Sequence, residues 1–174
     1  MTYTEKFISE NDVSYFLDRI GKSDSGYHAF APLWAAQYKA WRADKAEQAA
    51  IIEMALQYAE DTSRSFAQRY QCCYLASSFE VPTTIPRLSK LLDNDSNYQL
   101  RGIVACALGH FRAPEADEAL KRSLSKQTNA ELKTWITRAL NGEFPRPRIW
   151  TPQIGKLSGE AENRNTNTQA SDVN

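Results

Sequence analysis

Between Leu56 and Leu140 the same kinds of side chain return every 32 residues. Arg69, Arg101 and Lys133 form one column, and Leu56, Leu88 and Leu120 a second. Cys72, Val104 and Ile136 form a third, and Ala76, Leu108 and Leu140 a fourth. Pro82 pairs with Pro114, and Asn97 with Asn129, in the same register. A period of this length is that of a helix pair, a unit that buries its apolar face only by stacking on copies of itself. The expected fold class is therefore all-α: a solenoid of stacked antiparallel helix pairs, an α-α superhelix.

Local signals agree with the period. Pro82 and Pro114 suit a first helical turn, where a missing N–H costs nothing. Gly109 and Gly142 fall where helices are expected to stop. DNDSN at 93–97 is rich in capping and turn residues. No sustained alternation of β-branched residues suggests a strand. The pattern predicts helix pairs at 45–60 with 63–79, 82–92 with 97–110, and 114–125 with 129–141. Residues 45–142 thus hold three pairs. Before residue 45 the register fades, with helices expected near 10–20 and 29–42. Residues 1–44 are read as an amino-terminal helical cap, since the end unit of an array lacks one neighbour. Trp34, Tyr38 and Trp41 share one helix face there. They form either a buried capping stripe or an aromatic binding patch.

The rest of the composition narrows the function classes. Lys plus Arg and Asp plus Glu each number 21, a formal net charge of zero. A general nucleic-acid binder needs excess cation to displace phosphate counterions, so nucleic acid is not the expected partner. Cys72, Cys73 and Cys106 are an odd set without regular spacing, which is no disulfide framework. The opening MTYTEKFISENDVSYF has acidic residues and no apolar run, unlike a secretory signal. No segment approaches the roughly 18 apolar residues that span a membrane. A cytoplasmic protein is expected.

In the central unit, the order of Arg101, Ala105, Ala107, Leu108, Gly109, Pro114, Glu115, Ala116, Ala119 and Leu120 resembles the HEAT-like repeat in its short bacterial form. The likeness covers about 45–142 and weakens at both ends, where Ser77 and Asn141 replace the glycine. The resemblance implies a curved solenoid with the second helix of each pair on the concave side. It also implies a charged ladder between repeats, for which Asp93 or Asp95 with Arg101 is the candidate. The family prescribes no single activity.

Turning the second helices by about 100° per residue separates a buried side from a free one. Arg69, Cys72, Cys73, Ala76 and Phe79 fall on the buried side. Ala67, Tyr70, Gln71, Tyr74 and Ser78 fall opposite, with Gln99, Gly102, Ile103, Cys106 and His110 as their equivalents in the central unit. Glu131, Thr134, Trp135, Arg138 and Gly142 follow in the last unit. The expected partner-binding residues are Tyr70, Gln71, Tyr74, Ile103, His110, Trp135 and Arg138. Aromatic anchors with an arginine at the edge are what protein-binding hot spots are made of. The competing reading packs them against the carboxyl-terminal tail or into the core. Gly102 offers a dip for a partner side chain or else a close helix contact. Residues 143–154 are expected to be an extended Pro/Arg segment. Its Phe144, Ile149 and Trp150 either cover the last helix pair or form a short linear motif. Residues 155–174 are expected to be disordered.

Signals for chemistry are sparse. His28 and His110 are isolated, Cys72 and Cys73 are adjacent rather than at ligand spacing, and no phosphate loop or GxSxG elbow occurs. No metal or cofactor is expected. Cys106 and His110, at i and i+4, are the one conceivable nucleophile and base. The expected role is non-enzymatic protein binding, of the adaptor or inhibitor type, for which a toxin-neutralising immunity protein is one form. The alternative is a HEAT-like accessory enzyme or ligand binder, similar to bilin lyases or to a group of DNA glycosylases.

Overall fold

The computed structural model describes residues 3–22, 30–79 and 81–144. Pro145–Trp150 and the residues beyond lie outside the described residues, and with them the expectations of an extended conformation up to residue 154 and of disorder over 155–174. The described chain runs through α1 (Tyr3–Glu10), α2 (Val13–Leu17), α3 (Ala31–Arg42), α4 (Lys45–Glu60) and α5 (Phe66–Ser77). A 3-10 turn (Pro82–Thr84) leads into α6 (Ile85–Asn94), followed by α7 (Tyr98–Phe111), α8 (Pro114–Lys126) and α9 (Ala130–Leu140). No strand occurs among the described residues. The pairs α4–α5, α6–α7 and α8–α9 form the hairpins, and the second helices α5, α7 and α9 pack side by side. At the amino-terminal end α3 packs on both α4 and α5, continuing the stack. The fold is an all-α solenoid.

The three second helices begin by the same device at the same interval. Ser65 caps α5 in a reciprocal capping box with Gln68. The Asn97 side chain accepts from the Gln99 and Leu100 amides at 3.0 and 3.1 Å, and Asn129 accepts from the Leu132 amide at 2.9 Å. Each such cap stabilises its helix by about 1 kcal/mol. Helix ends are less uniform. α9 ends in a Schellman turn: the Glu143 amide donates to the Arg138 carbonyl and the Gly142 amide to Ala139, with Gly142 at φ 71°. α7, in contrast, does not stop at Gly109. It continues to Phe111, and Arg112 takes the left-handed position at φ 49°.

Gly109 has another purpose. A Cβ there would lie 3.1 Å from both the Cβ and the carbonyl oxygen of Ala139. It lets α7 lie directly against the backbone of α9 at this turn. Gly102, two turns earlier, plays the same part with a Cβ position 3.3 Å from Trp135 Cγ. The dip expected at Gly102 is therefore occupied by the chain's own indole.

Two of the apolar repeat columns are fully in the core. Leu56, Leu88 and Leu120 are buried, as are Cys72, Val104 and Ile136. The expected ladder is present in altered form. Asp95 pairs with Arg69 of the preceding repeat, not with Arg101, and both side chains are buried. Arg101 is engaged within its own hairpin, where Nε donates to the Leu92 carbonyl at 2.6 Å. Arg69 Nε does the same to Ala59 at 2.8 Å, so each arginine caps the end of its first helix. Asp93 faces Arg122 at 3.5 Å. The position 32 residues after Asp95 is Gln127, so this rung is not repeated.

Two outcomes follow. Gly109→Val should lower the unfolding free energy by about 2–3 kcal/mol through overpacking against Ala139, as read by urea denaturation. An unchanged midpoint would contradict the close contact. Asp95→Ala strands the Arg69 cation and should cost about 3–5 kcal/mol in the same assay. A loss below about 1 kcal/mol, the level of a surface pair, would show that the pair is solvated.

Candidate functional site

The face formed by α5, α7 and α9 holds the expected partner-binding residues, but the exposed part of it is narrower than helix geometry alone suggests. On α5 the aromatic rings run in steps of four residues. Phe66 stacks on Tyr70 with centroids 6.0 Å apart and planes at 12°. Tyr70 meets Tyr74 edge-on at 5.1 Å. Phe66 is exposed; Tyr70 and Tyr74 are half-buried. On α7 the corresponding strip is Gln99, which is exposed, and Ile103, which is half-buried. On α9 it is Glu131, half-buried Trp135, and exposed Arg138.

Two of the expected residues lie elsewhere. Gln71 is 4% exposed and His110 3%. Both were expected on the free side and are instead packed between helices. Cys106 is likewise buried. The reason is that α7 packs on α5, α6, α8 and α9, and α5, which carries Gln71, on α3, α4 and α7. Neighbours on three or more sides leave one strip in water, not half a helix. His110 closes the gap between repeats: its Nδ1 lies 3.1 Å from Ser77 Oγ, and its ring centroid lies 6.2 Å from Tyr74. It supports the strip from beneath.

Trp135 is covered on both sides. Gly102 lies under its indole, and Phe144 stacks on it at 5.7 Å with planes at 10°. Arg138 lies over the Phe144 ring at 4.8 Å, and its Nε donates to Glu143 at 2.9 Å. The start of the carboxyl-terminal segment thus packs on the last helix pair, as one of the two readings of Phe144 anticipated. Phe66 and Tyr98 are exposed aromatic residues that the wheel projection passed over. The i, i+4, i+8 spacing of Phe66, Tyr70 and Tyr74 was the signal for the first.

The amino-terminal aromatic stripe divides. Tyr38 is buried, and its hydroxyl donates to Glu5 at 3.3 Å; Trp41 is 46% exposed. A cleft of about 410 Å³ beside them is lined by Glu5, Tyr38, Lys39, Arg42 and Glu47, with charges of both signs.

The electrostatics of the buried groups bear on chemistry. Burial pushes the Cys106 thiol up to about 12, and burial with nearby Arg112 pushes His110 down to about 4. Thiol and imidazole are both neutral near pH 7, and both are shielded from water. A nucleophilic cysteine needs an accessible thiolate, so this pair lacks the activation that such chemistry requires. Burial likewise raises Tyr74 to about 12. All three cysteines are free and buried. Among the described residues no cluster of three or more His, Cys, Asp or Glu is placed to hold a metal ion. None of the described helices is long and apolar enough to cross a membrane.

A family model described as HEAT repeats matches residues 52–141, and the chain belongs to that family. The matched span covers the second-helix strip from Phe66 to Arg138. Neither a curated protein nor a solved structure matches the chain.

His110 makes a testable prediction with a definite sign. Its folded-state pKa lies below the ordinary value of 6.5. Between about pH 6.5 and 4 the unfolded chain takes up a proton that the folded chain refuses. Stability should therefore fall with acid across that window and level off below it. His110→Gln should remove this part of the pH dependence when unfolding is measured by urea at a series of pH values. Identical slopes in both proteins would contradict the buried, neutral imidazole.

Proposed function

We propose that this HEAT-repeat protein acts as a non-enzymatic protein-binding module of the adaptor or inhibitor type. The observation that carries the reading is the strip of Tyr70, Tyr74, Ile103 and Trp135 along three consecutive second helices, extended by exposed Phe66 and edged by Arg138. Partly exposed aromatic rings on a rigid scaffold offer apolar area at small entropic cost, and Tyr, Trp and Arg dominate protein-binding hot spots. Gln71 and His110 belong to the support of this strip and not to its contact surface. Neutralisation of a bacterial toxin is the specific inhibitor role we put forward, with the toxin as the protein partner. A cytoplasmic site of action is consistent with three buried free thiols.

The alternative, an accessory enzyme or ligand binder of the bilin lyase or DNA glycosylase type, has less support. A glycosylase needs a cationic groove for the phosphate backbone. Here the net charge is zero, and the exposed cation of the strip, Arg138, is already paired with Glu143.

Tyr74→Ala and Trp135→Ala should each weaken a stoichiometric complex with the cognate toxin by about 2 kcal/mol, roughly thirtyfold. Isothermal titration reads the loss, with circular dichroism confirming that the helices persist. Equal affinity in the double variant would remove this strip as the binding surface.

A further inference from the structure

At its α9 end the strip already holds two side chains of its own chain, and they show what chemistry fits there. We propose that Trp135 and Arg138 recognise, in a protein partner, an acidic residue followed directly by an aromatic one, and that Glu143 and Phe144 occupy this site until such a partner displaces them. The proposal rests on reading the strip as a partner-binding surface, and it adds the chemistry of the partner to that reading.

The site is built from two side chains of one helix. Trp135 and Arg138 lie three residues apart on α9 and so share a face. The indole is backed by α7 at Gly102, where a Cβ would come within 3.3 Å of it. The Phe144 ring stacks on the indole at 5.7 Å with planes at 10°, and the Arg138 guanidinium lies over the same ring at 4.8 Å. That guanidinium also donates from Nε to Glu143 Oε2 at 2.9 Å, while Asn141 Nδ2 donates to Glu143 Oε1 at 3.2 Å. A guanidinium both stacks on a flat ring and pairs with a carboxylate, so one arginine engages two consecutive residues. A lone aromatic or a lone acid satisfies only half of it.

The hold on the resident pair is weak. The Arg138 and Glu143 side chains are 46% and 44% exposed, and an ion pair in that setting is worth less than about tenfold in an equilibrium. The ring stack is worth roughly as much, and Trp135 and Phe144 both keep part of their surface in water. Tethering keeps the pair in place. The Schellman turn at Gly142, closed by the Glu143 amide on the Arg138 carbonyl at 3.0 Å, returns the chain onto α9. So short a tether acts as an effective concentration in the millimolar range. A partner that brings its own acidic–aromatic pair and also covers Tyr70 and Tyr74 on α5 gains apolar area beyond the site, which offsets the tether.

Nuclear magnetic resonance of the full chain, followed at the Trp135 indole N–H, tests this with blocked tetrapeptides as probes. The resonance is assigned by its loss in Trp135→Phe. Phe144 lies beyond the last helix, so Phe144→Ala leaves the repeats standing. In that variant the peptide GEFG should shift the indole resonance saturably, and GQFG should bind severalfold more weakly. The unsubstituted chain should bind GEFG about tenfold more weakly than the variant, because its site is open only a small fraction of the time. Adding Arg138→Gln to Phe144→Ala should abolish the preference for GEFG over GQFG. An unmoved indole resonance in Phe144→Ala would overturn the proposal. Equal affinity in the variant and the unsubstituted chain would overturn it too, since Phe144 would then not be the resident occupant. Equal affinity for the two peptides would remove the acidic residue from recognition and with it the proposed pair. No toxin enters this experiment, so its failure removes the acidic–aromatic pair and leaves the wider strip as a contact surface intact.

Discussion

The lateral contact between second helices is the constraint on which the rest of the molecule depends. α7 lies close enough to α9 that Gly109 faces Ala139 with no room for a side chain, and Gly102 faces the Trp135 indole. On its other flank, His110 reaches Ser77 and Tyr74 of α5. A glycine in a helix interior costs roughly 1 kcal/mol relative to alanine, so two of them in α7 are retained against propensity. What they permit is proximity. Proximity places the half-buried Tyr70, Tyr74, Ile103 and Trp135 of three repeats on a shared face.

The same contact decides which groups stay in water and which change character. Cys106 and His110 are pressed between helices, where the thiol is held protonated and the imidazole unprotonated. Residues that look like a nucleophile and its base by spacing become packing and hydrogen-bonding elements. One turn away, Ile103 keeps part of its surface exposed, as do Tyr70 and Tyr74. The Arg69–Asp95 pair ties adjacent repeats together from the buried side, while the aromatic strip faces outward. A binding surface of this kind requires a stiff backing, and paired repeats with capped helices supply it.

Much of this was legible in the residues. The 32-residue register located the three pairs because apolar columns at fixed offset are a direct consequence of stacking, and the capping residues of DNDSN at 93–97 marked the start of the central second helix. Three features were not legible. Gly109 resembled a helix stop, because a helix terminus and a close helix contact both favour glycine, and only the neighbour's position separates them. The partner of Arg101 reads from the sequence as Asp93 or Asp95, whereas Asp95 pairs with Arg69 and Asp93 with Arg122, because sequence proximity does not say which repeat an acid faces. Gln71 and His110 were placed outside, because a helical wheel assigns half the circumference to solvent. A helix flanked on three sides keeps far less. The packing of Phe144 on half-buried Trp135 is one of the two readings the residues allow, and spacing alone does not choose between them.

The central claim is that α5, α7 and α9 lie side by side and so unite Tyr70, Tyr74, Ile103 and Trp135 on one face. Nuclear Overhauser contacts in the full chain test it most directly. Cross-peaks between the Trp135 indole and Gly102, and between the Tyr74 and His110 rings, are the predicted result. Their absence, with the helices themselves intact, would mean that the second helices are not in lateral contact and that no shared face exists.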